Sequence, residues 1–95
     1  MAERPTHTPL STNTSRTAPV LMIDNTAERK EIIECAERRM LAAREMLFTL
    51  SSIELDRTIA EGRDLQSLTH AAYLLLADAD DLYSVALHHK EVSHG

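Results

Sequence analysis

LQSLTHAAYLLLADADDLYSVA, residues 65–86, decides the fold. Leu65, Leu68, Ala72, Leu75, Ala79, Leu82 and Ala86 alternate in steps of three and four, the spacing of a helix that packs along another helix. Leu74, Leu76, Val85 and Leu87, with Tyr73 and Tyr83, widen the stripe beyond one seam. A helix that is apolar on more than one side has to be covered on more than one side, and a single second helix cannot do that.

The same steps recur upstream. Ile33, Ala36, Met40, Ala43, Leu47 and Leu50 form the inward positions of a first helix, with Ile32, Met46 and Phe48 on its flanks. Glutamates (28, 31, 34, 37, 45) alternate with Arg29, Lys30, Arg38, Arg39 and Arg44, and Glu34 to Arg38 has the favourable i,i+4 order. These charges read as a solvated face. Asp24 or Asn25 caps the helix, and Glu28 stands three residues after Asn25 as a capping box requires. Helix 1 is therefore expected over about 25–61. It could bend at Ser51-Ser52; the alternative is a new short helix starting there, because Ser51 with Glu54 repeats the capping pattern. Gly62 is expected to end helix 1 and Asp64 to cap helix 2, which runs over about 65–90. So short a connection makes the helices antiparallel neighbours.

Residues 1–19 hold all three prolines, many Thr and Ser, and one large aliphatic residue. Composition predicts a disordered polar tail, since so little apolar surface cannot offset the ordering entropy. Val20 to Ile23 is an apolar patch at the start of the 20–92 domain. It reads either as a staple that sets the chain's entry into helix 1 or as an arm that docks on another protein.

With 95 residues, no Trp and few aromatics, the chain is one small domain whose core comes from aliphatic residues and alanine. The net charge of −5 argues against nucleic acid or an anionic membrane as a partner. No apolar run approaches the ~20 residues of a membrane span. Neither a basic flank nor an apolar stretch marks a secretory signal, and a single Cys makes no internal disulfide, so a cytoplasmic protein is expected. Domains this small are marginal without metal, disulfide or association. The expected fold is thus all-α, a hairpin of two long antiparallel helices that pairs into a four-helix-bundle homodimer. Ile33, Met40, Leu47, Leu68, Leu75 and Leu82 would form the hairpin or dimer core.

Candidate chemistry is thin, and the chain is read as no enzyme and as needing no cofactor. Asp78, Asp81, His88 and His89 could ligate a metal or small ligand, but the E-x-x-H pattern of di-metal bundles is absent, and histidines also favour a helix C-terminus through its dipole. Cys35 sits among glutamates rather than in the electropositive setting of a nucleophile, and reads as a packing residue. His70 is the only histidine that could lie inside the bundle, and nothing in the sequence places it beside Cys35. Helix 2 has no Arg or Lys from Leu65 to His89, which excludes a cationic pocket of the chorismate-mutase kind. It is also too long, apolar and acidic for a DNA-reading helix. Binding through apolar surface remains, with Val20, Leu21, Ile23, Phe48, Tyr73, Leu76 and Tyr83 as candidate anchors.

With NTAERKEIIECAERRMLAAREML (25–47) and LTHAAYLLLADADDLYSVAL (68–87) in view, the chain resembles small bacterial two-helix hairpin proteins of the quorum-sensing anti-activator (QslA) type. The resemblance covers about residues 20–92 and is one of length, layout and helix character. It implies a homodimer that binds the ligand-binding domain of a LuxR-type transcription activator (LasR) and occupies its dimerisation surface, so that the activator cannot bind DNA. A metal- or small-ligand-binding helical bundle, or a structural or phage-type interaction protein, is the alternative.

Overall fold

The computed structural model describes residues 5–52 and 62–89. Two short strands, β1 (His7–Pro9) and β2 (Met22–Asp24), pair antiparallel with Thr8 opposite Ile23. Two helices follow, α1 (Arg29–Ser52) and α2 (Gly62–His88). They form the expected all-α hairpin. Arg29 at the start of α1 donates Nε–H to the Ala86 carbonyl near the end of α2 at 3.0 Å, and His89 donates Nε2–H to the Ala27 carbonyl at 2.8 Å. These contacts fix the helices as antiparallel.

The seam between them is made of alanine. Ala36 and Ala43 on α1, and Ala72, Ala79 and Ala86 on α2, are each at most 2 % exposed. On both helices these residues are seven apart, the two-turn repeat that keeps one stripe facing a partner helix. With Arg29 against Ala86, the antiparallel rise brings Ala36 level with Ala79 and Ala43 level with Ala72. Methyl groups at the contact are the side chains that allow two helix backbones to approach most closely. Larger side chains are displaced to either side. That is why, of the six expected core residues, only Leu82 is buried within the chain. Ile33, Met40 and Leu75 are half-buried, and Leu47 and Leu68 are exposed. On α1 the buried isoleucine is Ile32, at 3 % exposure, and not its neighbour Ile33.

From residue 5 on, the polar N-terminal segment departs from the expected disordered tail. It folds back as an arm over the hairpin. Asn13 uses its whole side chain to close the loop between the strands. Its Oδ1 accepts the N–H groups of Val20 and Leu21, and its Nδ2 donates to the carbonyls of Leu10 and Leu21. The arm is then tied to α2. Ser11 donates both its backbone N–H and its hydroxyl to Asp81 Oδ2 at 2.7 and 2.8 Å, and Thr12 donates its hydroxyl to Asp78 Oδ1 at 2.8 Å. Under it, Ile23, Ile32, Ala36, Leu82 and Ala86 form one buried cluster, with Leu10 and Ala27 packed against it. A few inward apolar residues suffice because the hydroxyl and amide groups find fixed partners instead of water.

The start of α1 also differs from the expected capping box. Asp24 Oδ1 accepts the hydroxyl and N–H of Thr26, an Asx turn. Asn25 is held by the arm, donating its N–H to Thr6 O and its Nδ2 to Pro5 O while accepting from Thr8 Oγ1. The first helical bond runs from Ile32 N–H to Glu28 O, so α1 opens four residues later than its sequence signals indicate. At the other end Ser51 and Ser52 both donate hydroxyls to Phe48 O. The expected continuation of helix 1 to about residue 61 lies outside the described residues. Gly62 lies within α2, and Asp64 stands in its first turn rather than at its cap.

The Cα positions span 60 × 33 × 13 Å, so the hairpin is one helix thick. None of its described helices is long and apolar enough to cross a membrane.

Candidate interaction surface

Helical geometry divides each helix about its buried alanines. At about 100° per residue, positions i−4 and i+3 from an alanine fall on one side of the seam, and i−3 and i+4 on the other. Around Ala36 the first pair is Ile32 and Arg39, and around Ala79 it is Leu75 and Leu82. This is the side the arm covers. A cavity of about 440 Å³ lies between arm and hairpin, walled by Leu10, Met22, Ile23, Ile32 and Leu82. Its polar rim sets Asp24, Glu31 and Asp78 against Arg39 alone, an acidic edge without an anion-binding group to spare.

The second pairs define the opposite face. They are Ile33, Met40 and Leu47 on α1, and Leu76 and Tyr83 on α2. The arm does not reach this side. Leu47, Tyr73, Tyr83 and Leu87 are exposed there, and Leu41 and Phe48 stand along its margin, Phe48 at 72 % exposure. Leu41, Arg44, Leu47 and Phe48 line a shallow groove of about 770 Å³ along α1. An isolated exposed leucine is ordinary, but apolar residues running the length of one face are the mark of an interaction surface.

The expected anchors divide accordingly. Leu76, Tyr73 and Tyr83 lie on the uncovered face, and Phe48 at its edge. Val20 and Leu21 project from the arm and are exposed. Ile23 is turned inward at 6 % exposure and belongs to the core under the arm. Sequence periodicity misses Leu41 and Met22, both exposed. Leu41 falls off the three-four stripe, and Met22 sits on a strand face that becomes visible only once β1 is paired.

The candidate metal ligands do not converge. Asp78 and Asp81 hold the arm, His88 Nδ1 donates to Ser84 O at 2.9 Å, and His89 reaches Ala27. Among the described residues, no three His, Cys, Asp or Glu side chains gather as a metal site requires. Cys35 is a free, exposed thiol. His70 is exposed and not inside the hairpin, and stacks beside Tyr73 with ring centroids 6.4 Å apart. No family model matches the chain, and neither a curated protein nor a solved structure matches it.

Proposed function

We propose that this chain is a non-enzymatic regulatory binding protein that works as a homodimer. The observation that carries this reading is the uncovered face: a hairpin one helix thick with apolar residues along the whole of one side. Exposed aliphatic and aromatic surface of this extent favours association. The four-helix bundle is the closed, symmetric way for two hairpins to bury it. Val20 and Leu21 on the arm, with Phe48 at the margin, then remain accessible to a second protein.

The resemblance to quorum-sensing anti-activators gives the class of that protein as a LuxR-type transcription activator, bound through its ligand-binding domain and kept from dimerising on DNA. Two features support the choice. An activator's own dimer interface is a self-complementary apolar patch, which helix and arm contacts can imitate. The acidic hairpin has no cationic stripe of its own with which to compete for DNA. Mixing the full chain with such a ligand-binding domain and measuring the mass of the species formed tests the reading. A mixed complex that displaces the activator dimer is expected, and it should be lost in Phe48→Asp or Val20→Asp variants whose circular dichroism is unchanged. An activator that stays a dimer at every ratio would refute the partner class.

A further inference from the structure

The uncovered face carries a charge pattern that selects how two copies meet. Residues that directly follow the seam alanines stand about 100° round from them and point straight out of the face. These are Glu37 and Arg44 on α1, and Tyr73, Asp80 and Leu87 on α2. Glu37, Arg44, Tyr73 and Asp80 are all exposed. The antiparallel register set by Arg29 against Ala86 puts Glu37 and Asp80 at nearly the same level, two carboxylates side by side across the seam. Arg44 and Tyr73 share the next level, two turns or ~10 Å along the hairpin.

Two hairpins can stack face to face about a two-fold axis in only two simple ways. With the axis parallel to the helices, each α1 lies over its partner's α2 at an unchanged level. Glu37 of each copy then falls on the other's Asp80, and four carboxylates are driven together in the middle of the interface. With the axis across the helices, each α1 lies over the other α1 with levels reversed. An axis crossing near Met40 and Leu76 sets Arg44 of each copy over Glu37 of the other, beside Asp80, and brings Met40 and Leu76 of both copies together at the centre.

We infer that this chain associates with a second copy of itself through the uncovered face, α1 against α1 antiparallel, about a two-fold axis near Met40 and Leu76, with reciprocal Glu37–Arg44 ion pairs. The inference rests on the homodimer reading above and specifies its geometry. The size of the face agrees with it. Two helices ~36 Å long and ~20 Å wide together offer roughly 700 Å² per copy, close to the ~800 Å² per partner of stable interfaces. Like charges opposed across an interface are strongly unfavourable, so the pattern discriminates between the two stackings even where both bury similar apolar area.

Charge reversal tests it with the full chain. In its own dimer, Glu37→Arg sets the new guanidinium against Arg44 of the other copy, twice by symmetry. Arg44→Glu likewise sets a new carboxylate against Glu37 of the other copy, again twice. Mixed one to one, the two variants form a heterodimer in which the doubly cationic chain meets the doubly anionic one, and both facing pairs are opposite in sign. Sedimentation velocity over a range of concentrations is expected to show each single variant self-associating at least tenfold more weakly than the unchanged chain. The equimolar mixture should regain the original affinity. Tightening by Glu37→Arg would indicate α1 over α2 and overturn the proposal, as would a mixture that associates no better than its components. A wild-type chain that stays monomeric at hundreds of micromolar would instead remove the homodimer reading itself.

Discussion

Asp81 on α2 receives two hydrogen bonds from Ser11, a residue seventy positions earlier, through its backbone N–H and its hydroxyl. One carboxylate oxygen thus ties the first part of the chain to the last helix, and the neighbouring Thr12–Asp78 bond doubles the tie. Both carboxylates face only neutral donors from the arm. Asp81→Ala should therefore loosen the arm without melting the hairpin, at a cost of about 1 kcal/mol for bonds this exposed. Hydrogen exchange should show faster exchange at Ser11, Val20 and Leu21, with protection along α2 little changed.

The arm's burial is tested by two of its own residues. Ile23 is buried against Ile32 and Leu82, whereas Val20, three residues before it, is 84 % exposed. Ile23→Ala should lower unfolding free energy by roughly 2–4 kcal/mol, and Val20→Ala by less than about 0.5. Urea denaturation would distinguish them. Equal, small effects would mean the arm contributes no core.

The alanine seam leaves no room for larger side chains. Ala79→Leu or Ala36→Leu would force the helices apart, costing about 1–3 kcal/mol or more. A fall in melting temperature is expected for either. The same substitution at half-buried Ala42, off the seam on α1, should be tolerated far better.

Acid should open the turn before α1. The Thr26 hydroxyl and backbone N–H that donate to Asp24 hold its carboxyl below the usual carboxylate range. A group whose acidity is raised on folding stabilises the fold above its unfolded pKa of ~3.9, and that contribution disappears as pH falls through the lower folded value. Asp24→Asn should thus flatten the part of the stability–pH curve below about pH 4 and leave its form near neutrality unaltered. Melting temperatures from pH 7 to pH 2.5 would show this.

The hairpin was legible because its signal is periodic and long. Leu65 to Ala86 steps by three and four without interruption, and the structure makes it one helix. Which residues take the centre of the contact was not legible from hydrophobicity. A stripe of Leu, Met and Ala suggests that the large side chains fill the seam, yet Ala36, Ala43, Ala72 and Ala79 fill it, because close approach of two backbones favours the smallest side chain available. The arm was hidden for a different reason. Asn13, Ser11 and Thr12 are polar residues that composition assigns to solvent. Asn13 closes onto Leu10, Val20 and Leu21 nearby, but Ser11 and Thr12 find partners 70 and 66 residues away, which no local window contains. The capping signal at Asn25 was diverted in the same way, its amide bonding Pro5 and Thr8 of the arm.

The placement of the arm also sets an order of folding. α1 and α2 are adjacent in sequence, and their contacts close a short connection at small entropic cost. The ties from Ser11 and Thr12 to Asp81 and Asp78 close loops of 70 and 66 residues. They can form only once the far end of α2 exists to receive them. During synthesis, therefore, a segment that leaves the ribosome before either helix is the last to find its place. Until then Ile32 and Leu82 wait uncovered on a nascent hairpin, which is when the chain is most open to aggregation or to capture by a chaperone.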